Sequence, residues 1–179
     1  MTIGGRVRRR LGTTLGVLWL GWGAAGCATA VDPAGVKLAD FKSDGCSLFP
    51  DGTYYSCCYL HDVAYWPGGT ADEREHADKS LRACVLDITQ NAALAEAMYH
   101  GVRVGGGPEL PTSYRWGYGW PFPCRKDYAP LTAEERAQVL EKTRKLCDTM
   151  RVNPATGGVV VDVGREVSLA QARQVCPGL

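Results

Sequence analysis

The sequence has little net charge, no internal repeat and no low-complexity tract. Its 179 residues include 20 basic and 19 acidic side chains, so the formal net charge is +1 and the pI is about 7.5. This balance gives no general affinity for nucleic acid. Hydrophobic residues make up 45% of the chain, charged residues make up 22%, and the mean hydropathy is −0.16. These values exclude a multi-pass membrane protein and a disordered chain, and they favour one globular domain.

Residues 1–26 have the pattern of an export signal. Four arginines between positions 6 and 10 precede an apolar run at 11–22, which is shorter than a membrane-spanning helix. The run is followed by Ala-Ala-Gly-Cys, and this ending resembles the lipobox of bacterial lipoproteins. The resemblance implies that the signal is removed and that Cys27 carries a lipid anchor. Plain secretion, without the lipid, is the alternative.

Removal of the signal changes the charge of the remaining chain. It takes away four arginines and no acidic residue, so the formal net charge falls from +1 to −3, and anionic nucleic acid becomes a still less favourable partner. Ala28 stands where an aspartate usually marks retention in the inner membrane, so we expect an outer-membrane location. Residues 27–42 are expected to be a tether, and residues 43–179 a single domain.

Capping patterns and apolar periodicity predict a mainly α-helical fold with little β-structure. A short helix at 57–65 is stopped by a Trp-Pro-Gly-Gly turn. Thr70 and Glu73 form a capping box at the start of a second helix, whose apolar stripe continues to Ile88. The other predicted elements are helices at 91–104, 132–150 and 168–176, a strand at 159–163 and a long ordered loop at 105–130.

One face of the first helix carries a thiol, an imidazole and a phenol, because Cys57, His61 and Tyr65 recur at intervals of four residues. If Cys57 is bonded to Cys84, an antiparallel second helix brings Asp78 within about two residues of His61, roughly 3 Å of helical rise. A carboxylate at that distance fixes the tautomer of the imidazole and stabilises its protonated form, as a general base requires.

The segment Cys-Cys-Tyr-Leu-His-Asp-Val-Ala-Tyr at 57–65 resembles the C-C-x-x-H-D-x-C-Y signature of secreted phospholipase A2. Asp78 and Cys84 have the spacing of the C-D-x-x-x-x-x-C helix of that family. The resemblance covers residues 43–85, about a quarter of the chain. It implies a disulfide-stapled antiparallel helix pair of phospholipase A2 type, here extended by additional C-terminal helices.

Two cysteines of the family signature are replaced by alanine, at Ala64 and Ala77. These two cysteines bond to each other in the animal enzymes, so their joint loss is what a dispensable disulfide predicts. The loop Ser-Asp-Gly-Cys-Ser at 43–47 and the short interval between the two helices are similar to the compact prokaryotic branch of the family.

The resemblance implies hydrolysis of the sn-2 ester of glycerophospholipids by an activated water. His61 would deprotonate the water, Asp78 would orient the imidazole, and Tyr65 would hold Asp78 by a hydrogen bond. The family also requires calcium, which the resemblance assigns to Asp44, Gly45 and Asp62. Their carboxylate and carbonyl oxygens suit this hard cation.

The cysteines are expected to form disulfides, since an exported chain meets oxidising surroundings. Cys124 has no assigned partner among them. The family pattern implies the pairs Cys57–Cys84 and Cys46–Cys58. A third expected pair, Cys147–Cys176, would join the last two helices.

Two other functions stay open. The first is a catalytically silent phospholipase A2-like envelope lipoprotein with a binding or structural role. The second is a structural zinc module, because soft ligands are concentrated in the helix pair. These ligands are Cys57, Cys58, His61, His76 and Cys84.

The aromatic segment 114–122 favours two interpretations. Trp and Tyr are enriched at the headgroup zone of membranes, so the segment is a candidate membrane contact beside the lipid anchor. Alternatively it packs over the helices as a lid or pocket wall. Either arrangement suits a lipid substrate, and neither predicts an oligomeric state.

Overall fold

The computed structural model describes Met1 and residues 35–124, 127–162 and 164–179. The expected export signal after Met1, the expected lipid-bearing Cys27 and the first part of the expected tether lie outside the described residues. Within the described ranges, no helix combines the length and the hydropathy needed to cross a membrane.

Five helices and three short strands form the described part of the chain, which is mainly helical as the sequence predicts. The antiparallel sheet has the strand order β1-β2-β3. Of its strands, the sequence predicts only β2, because β1 and β3 have two and three residues. The elements are α1 (Tyr55–Tyr65), α2 (Ala71–Thr89), α3 (Ala92–Gly105), α4 (Ala133–Thr149), β1 (Arg151–Val152), β2 (Val159–Asp162), β3 (Arg165–Val167) and α5 (Leu169–Val175).

Capping side chains explain why the predicted helix starts are accurate. The Thr70 hydroxyl accepts a hydrogen bond from the backbone N–H of Glu73, and the Glu73 carboxylate accepts one from the backbone N–H of Thr70. The same reciprocal box begins α4 and α5, and each cap contributes about 1 kcal/mol. Helix α1 has no side-chain cap. It begins at Tyr55, two residues before the prediction.

Helices α1 and α2 form an antiparallel pair, and α3 packs against α2. All three expected disulfides are present. Cys57–Cys84 joins α1 to α2, Cys46–Cys58 ties the preceding loop to α1, and Cys147–Cys176 joins the end of α4 to the end of α5. Cys124 is not a free thiol either.

Helix α1 contributes side chains to two separate cores. Its cysteines pack with Leu81 and Val85 of α2 and with Met98 of α3. On another side, Tyr55 and Tyr59 pack against the small sheet and α5. Helix α1 is therefore held in place by packing on two of its faces.

The aromatic segment 114–122 packs inward. Trp116 and Trp120 are each only 2% exposed, and their indole N–H groups donate to the carbonyl oxygens of Gly69 and Pro67. The core covers these two tryptophans, whereas Phe122 at the end of the segment is exposed, and contact of the segment with a membrane stays a prediction. The wall interpretation describes the two tryptophans better.

Two disulfides of nearly equal span provide a stability test. Replacing Cys147 and Cys176 by serine opens a cross-link of 29 residues, and loop closure predicts a loss of about 3 to 4 kcal/mol in the free energy of unfolding. Replacing Cys57 and Cys84 by serine opens a cross-link of 27 residues and also removes the covalent link between α1 and α2. The loss in the free energy of unfolding should therefore be larger for this double variant. Urea denaturation of both double variants measures the two losses in the free energy of unfolding. A larger loss for the Cys147 and Cys176 variant would contradict the prediction.

Candidate functional site

His61 in α1 and Asp78 in α2 are in direct contact. The Nε2 atom of His61 lies 2.8 Å from Oδ1 of Asp78, and the two residues are 8% and 0% exposed. The Cys57–Cys84 disulfide, with 5.7 Å between its Cα atoms, ties together the same two helices. The structure therefore brings together the two residues that the sequence places on facing helices.

Asp78 is surrounded by hydrogen-bond donors. The Tyr65 hydroxyl donates to Oδ1 at 2.6 Å and Nη1 of Arg103 donates to Oδ2 at 2.6 Å, while Nε of Arg74 lies 3.9 Å from Oδ2. Burial by itself raises the pKa of Asp78, but the hydrogen bonds from His61, Tyr65 and Arg103 hold that pKa below its ordinary value. Asp78 is therefore ionised at neutral pH.

The ionisation of Asp78 decides the tautomer of His61. An ionised carboxylate only accepts hydrogen bonds, so Nε2 of His61 carries the proton of their shared hydrogen bond. The other ring nitrogen, Nδ1, is then the basic one in the neutral imidazole. Burial and the neighbouring Asp78 raise the pKa of Tyr65, so this phenol stays protonated and remains a donor.

An open cleft with a cavity volume of about 80 Å³ lies beside His61 and Asp62. Tyr114, from the aromatic segment, forms part of its wall. The other large apolar side chains that line it are Leu48, Phe49, Leu81, Met98 and Val102.

The loop before α1 gathers oxygen atoms around Asp62. The Ser43 hydroxyl donates to Oδ2 of Asp62 at 2.5 Å and accepts from the backbone N–H of Gly45 at 3.1 Å. Gly45 has a φ of +77°, and a Cβ there would lie 2.5 Å from Oδ1 of Asp51, so this turn requires glycine. Of the predicted set, Asp44 and Gly45 lie in this loop and Asp62 lies in α1 directly after His61, where the Ser43 hydroxyl ties the loop to its carboxyl group.

Asp62 differs from Asp78 in its electrostatic environment. Burial raises the pKa of Asp62 to about 8. The carboxylates of Asp44 and Asp51 raise it further, whereas hydrogen bonds from the Ser43 hydroxyl and the Asp44 backbone oppose the rise. Without a cation nearby, Asp62 is therefore predominantly protonated at neutral pH.

Two arginines of the site were missed by the sequence reasoning. Arg74 precedes Asp78 by four residues, so helical spacing alone could have placed it on the same face. Arg103 lies on α3, and its approach to Asp78 depends on how α3 packs against α2. The sequence carries no signal for that packing register.

The sulfur ligands expected for a zinc module are not available as thiolates. Cys57, Cys58 and Cys84 are bonded in disulfides, and a zinc site needs ionised thiols. Across the described ranges there is also no group of three or more His, Cys, Asp or Glu side chains able to hold a metal. The zinc hypothesis therefore has no ligand set in this part of the chain.

Comparison with known proteins gives no relative for this site. No family model, curated protein or solved structure matches the chain.

The raised pKa of Asp62 predicts a loss of stability with rising pH in metal-free buffer. The folded protein holds a proton on Asp62 up to about pH 8, whereas the unfolded chain releases it near pH 4. The free energy of unfolding should therefore fall between these values, by up to about 1.4 kcal/mol per pH unit. Asp62→Asn cannot titrate, so in urea denaturation with a chelator its slope between pH 5 and 8 should be smaller. Equal slopes would show that Asp62 is not responsible.

Proposed function

We propose that the protein is a calcium-dependent phospholipase A2 that hydrolyses the sn-2 acyl ester of glycerophospholipids. The observation that carries the proposal is the 2.8 Å contact between Nε2 of His61 and the buried carboxylate of Asp78, beside an apolar cleft. This is the arrangement of a general base with its orienting carboxylate. The motif resemblance at 57–65 supports the same reaction.

His61 is the general base of the proposed reaction. With Nε2 protonated and held by Asp78, Nδ1 takes a proton from a water as the water oxygen attacks the ester carbonyl carbon. A tetrahedral intermediate forms, and its carbonyl oxygen becomes negative. When the ester C–O bond breaks, Nδ1 returns the proton to the leaving alkoxide oxygen. The products are a fatty acid and a lysophospholipid, and His61 is neutral again.

Asp78 and Tyr65 support this proton transfer without touching the substrate. The ionised carboxylate of Asp78 stabilises the imidazolium that exists while Nδ1 holds the proton. The Tyr65 hydroxyl, 2.6 Å from Oδ1, keeps that carboxylate oxygen in place. No serine or cysteine nucleophile is required.

The apolar lining of the cleft fits an acyl chain. Leu81 and Met98 belong to the buried core and also line the cleft, so the cleft wall is rigid there. Burying a methylene against such side chains contributes about 0.8 kcal/mol. A fatty acyl substrate therefore explains why the cleft beside the base is apolar.

Calcium suits the loop beside the cleft. Asp62 has a raised pKa because burial and two neighbouring carboxylates disfavour its charge, and a bound cation would remove that penalty. The residues that would hold the ion are Asp44 and Asp62, through their carboxylates, and Gly45, through its carbonyl oxygen, with water completing the shell. Bound there, calcium supplies a Lewis acid for the substrate phosphate and the oxyanion.

The substrate class agrees with the proposed location. An exported protein, whether lipid-anchored or secreted, acts next to membranes, where glycerophospholipids are concentrated. The proposal includes membership of the secreted phospholipase A2 superfamily, nearest its compact prokaryotic branch, and the motif resemblance at 57–65 supports it.

Replacement of His61 tests the proposed base. His61→Gln should lower calcium-dependent release of fatty acid from phospholipid micelles by at least about 100-fold, because Gln cannot accept the proton. His100→Gln is the matched control, since His100 is exposed, and it should keep full activity. Circular dichroism checks that both variants are folded.

Two results would contradict the assignment. If the wild-type protein with calcium releases no fatty acid from micelles or vesicles, the hydrolase proposal fails and a catalytically silent envelope protein is favoured. If His61→Gln retains activity while folded, hydrolysis occurs without the proposed base.

Calcium binding is tested at Asp62. Asp62→Asn removes a charged ligand, so we expect calcium affinity, measured by isothermal titration calorimetry, to fall on the order of tenfold or more, together with activity at limiting calcium. Asp87→Asn, at an exposed position on α2, is the matched control and should bind calcium like the wild type. Equal affinities for the wild type and Asp62→Asn would exclude Asp62 as a ligand.

A further inference from the structure

The Oδ2 atom of Asp78 is bound by a charged side chain, Arg103, that has no role in the proposed reaction as described above. Oδ1 accepts from His61 and Tyr65, and Oδ2 accepts from Nη1 of Arg103 at 2.6 Å. Arg74 is farther away, with 3.9 Å between its Nε and Oδ2. The orientation of the carboxylate is therefore fixed at both oxygens by donors from different helices.

We propose that Arg103 is a positioning residue for the His61–Asp78 pair. By binding Oδ2, Arg103 prevents the carboxylate from turning about its Cβ–Cγ bond, so Oδ1 stays directed at Nε2 of His61. Charge-assisted hydrogen bonds of this length are the strong ones. The kinetic consequence rests on the proposed hydrolysis, whereas the effect on the imidazole does not.

Arg74 holds Arg103 in place. Its Nη2 donates to the backbone carbonyls of Val102 and Arg103, at 2.8 and 2.9 Å, in the last turn of α3, which ends at Gly105. A cation at that end of a helix is favourable because the helix dipole is negative there. Its Nε also donates to the Tyr65 hydroxyl at 3.0 Å. Arg74 thus links Tyr65 and Arg103, two of the three residues that donate to Asp78.

The position of Arg103 suits it for a test by substitution. Its side chain is 33% exposed, whereas Arg74 is only 3% exposed and has a larger structural role. The chain also offers a control between the same two helices, since Arg82 of α2 is paired with Glu96 of α3 on the surface. Removing the Arg82–Glu96 pair eliminates a comparable contact between α2 and α3 and leaves the surroundings of Asp78 unchanged.

The first measurement is the Nε2–H proton resonance of His61 in a proton–nitrogen-15 correlation NMR spectrum. The resonance is assigned by its absence from the spectrum of His61→Gln. In the wild type we expect a downfield Nε2–H resonance protected by the bond to Asp78. Arg103→Met should shift it upfield and speed its exchange with water, Arg103→Lys should preserve it, and Arg82→Gln should leave it unchanged. Arg103→Gln replaces the methionine variant if that one does not fold.

The second measurement is steady-state hydrolysis of a monomeric short-chain phosphatidylcholine with calcium. Arg103→Met should lower kcat on the order of tenfold with KM within about twofold, and Arg103→Lys should restore most of kcat. Arg82→Gln should match the wild type in both constants.

The two measurements separate the failure of this inference from that of the proposed function. If Arg103→Met, or its glutamine replacement, keeps the wild-type imidazole signal, the positioning role is overturned. An equal change in Arg82→Gln would also overturn it, because the effect would then be general to the α2–α3 contact. If the wild type shows no hydrolysis, the proposed function fails, and the imidazole signal still decides the role of Arg103.

Discussion

A carboxylate with no exposed surface, Asp78, is the constraint on which the rest of the site depends. Burying an unpaired charge costs several kcal/mol, so such a group persists only with partners that repay its lost hydration. Here the partners come from three helices. They are His61 and Tyr65 from α1, Arg74 from α2 and Arg103 from α3. Satisfying one buried charge therefore sets the positions of α1, α2 and α3 relative to one another.

Small residues allow the two helices to approach closely at the site. Ala64 and Ala77 pack in one cluster with Tyr65 and Trp116, and the Trp116 indole donates to the carbonyl of Gly69 in the turn between α1 and α2. In animal enzymes of the resembling family, a disulfide stands at the two alanine positions. Here a buried tryptophan from the long loop packs at the same place, so apolar burial can take over part of the role of the missing cross-link.

The sequence predicts the parts of the molecule that local rules determine. Thr70 and Glu73 begin α2 because capping is local. The nearness of His61 and Asp78 follows from helical periodicity once a covalent link between Cys57 and Cys84 is assumed. In both cases the distances along the chain translate directly into distances in space.

What the sequence does not predict depends on packing between segments that no covalent link aligns. Arg103 approaches Asp78 only because α3 lies against α2 in one register. Trp116 and Trp120 were equally compatible with a membrane surface and with a core, since an aromatic residue suits both, and tertiary packing selected the core. The raised pKa of Asp62 likewise arises from the fold, because the loop brings two further carboxylates to a buried position.

The two buried aspartates next to His61 are opposite in character, and this contrast argues for a functional site. Burial disfavours the charge of both, yet donors hold the pKa of Asp78 low, whereas neighbouring carboxylates help to raise that of Asp62 to about 8. A structural role would be served by compensating both charges. Neighbouring carboxyl groups whose pKa values are pushed apart are typical of acid–base sites. Asp78 stays charged beside the imidazole, whereas burial and neighbouring carboxylates disfavour the charged form of Asp62, and the calcium ion that we propose would offset that penalty.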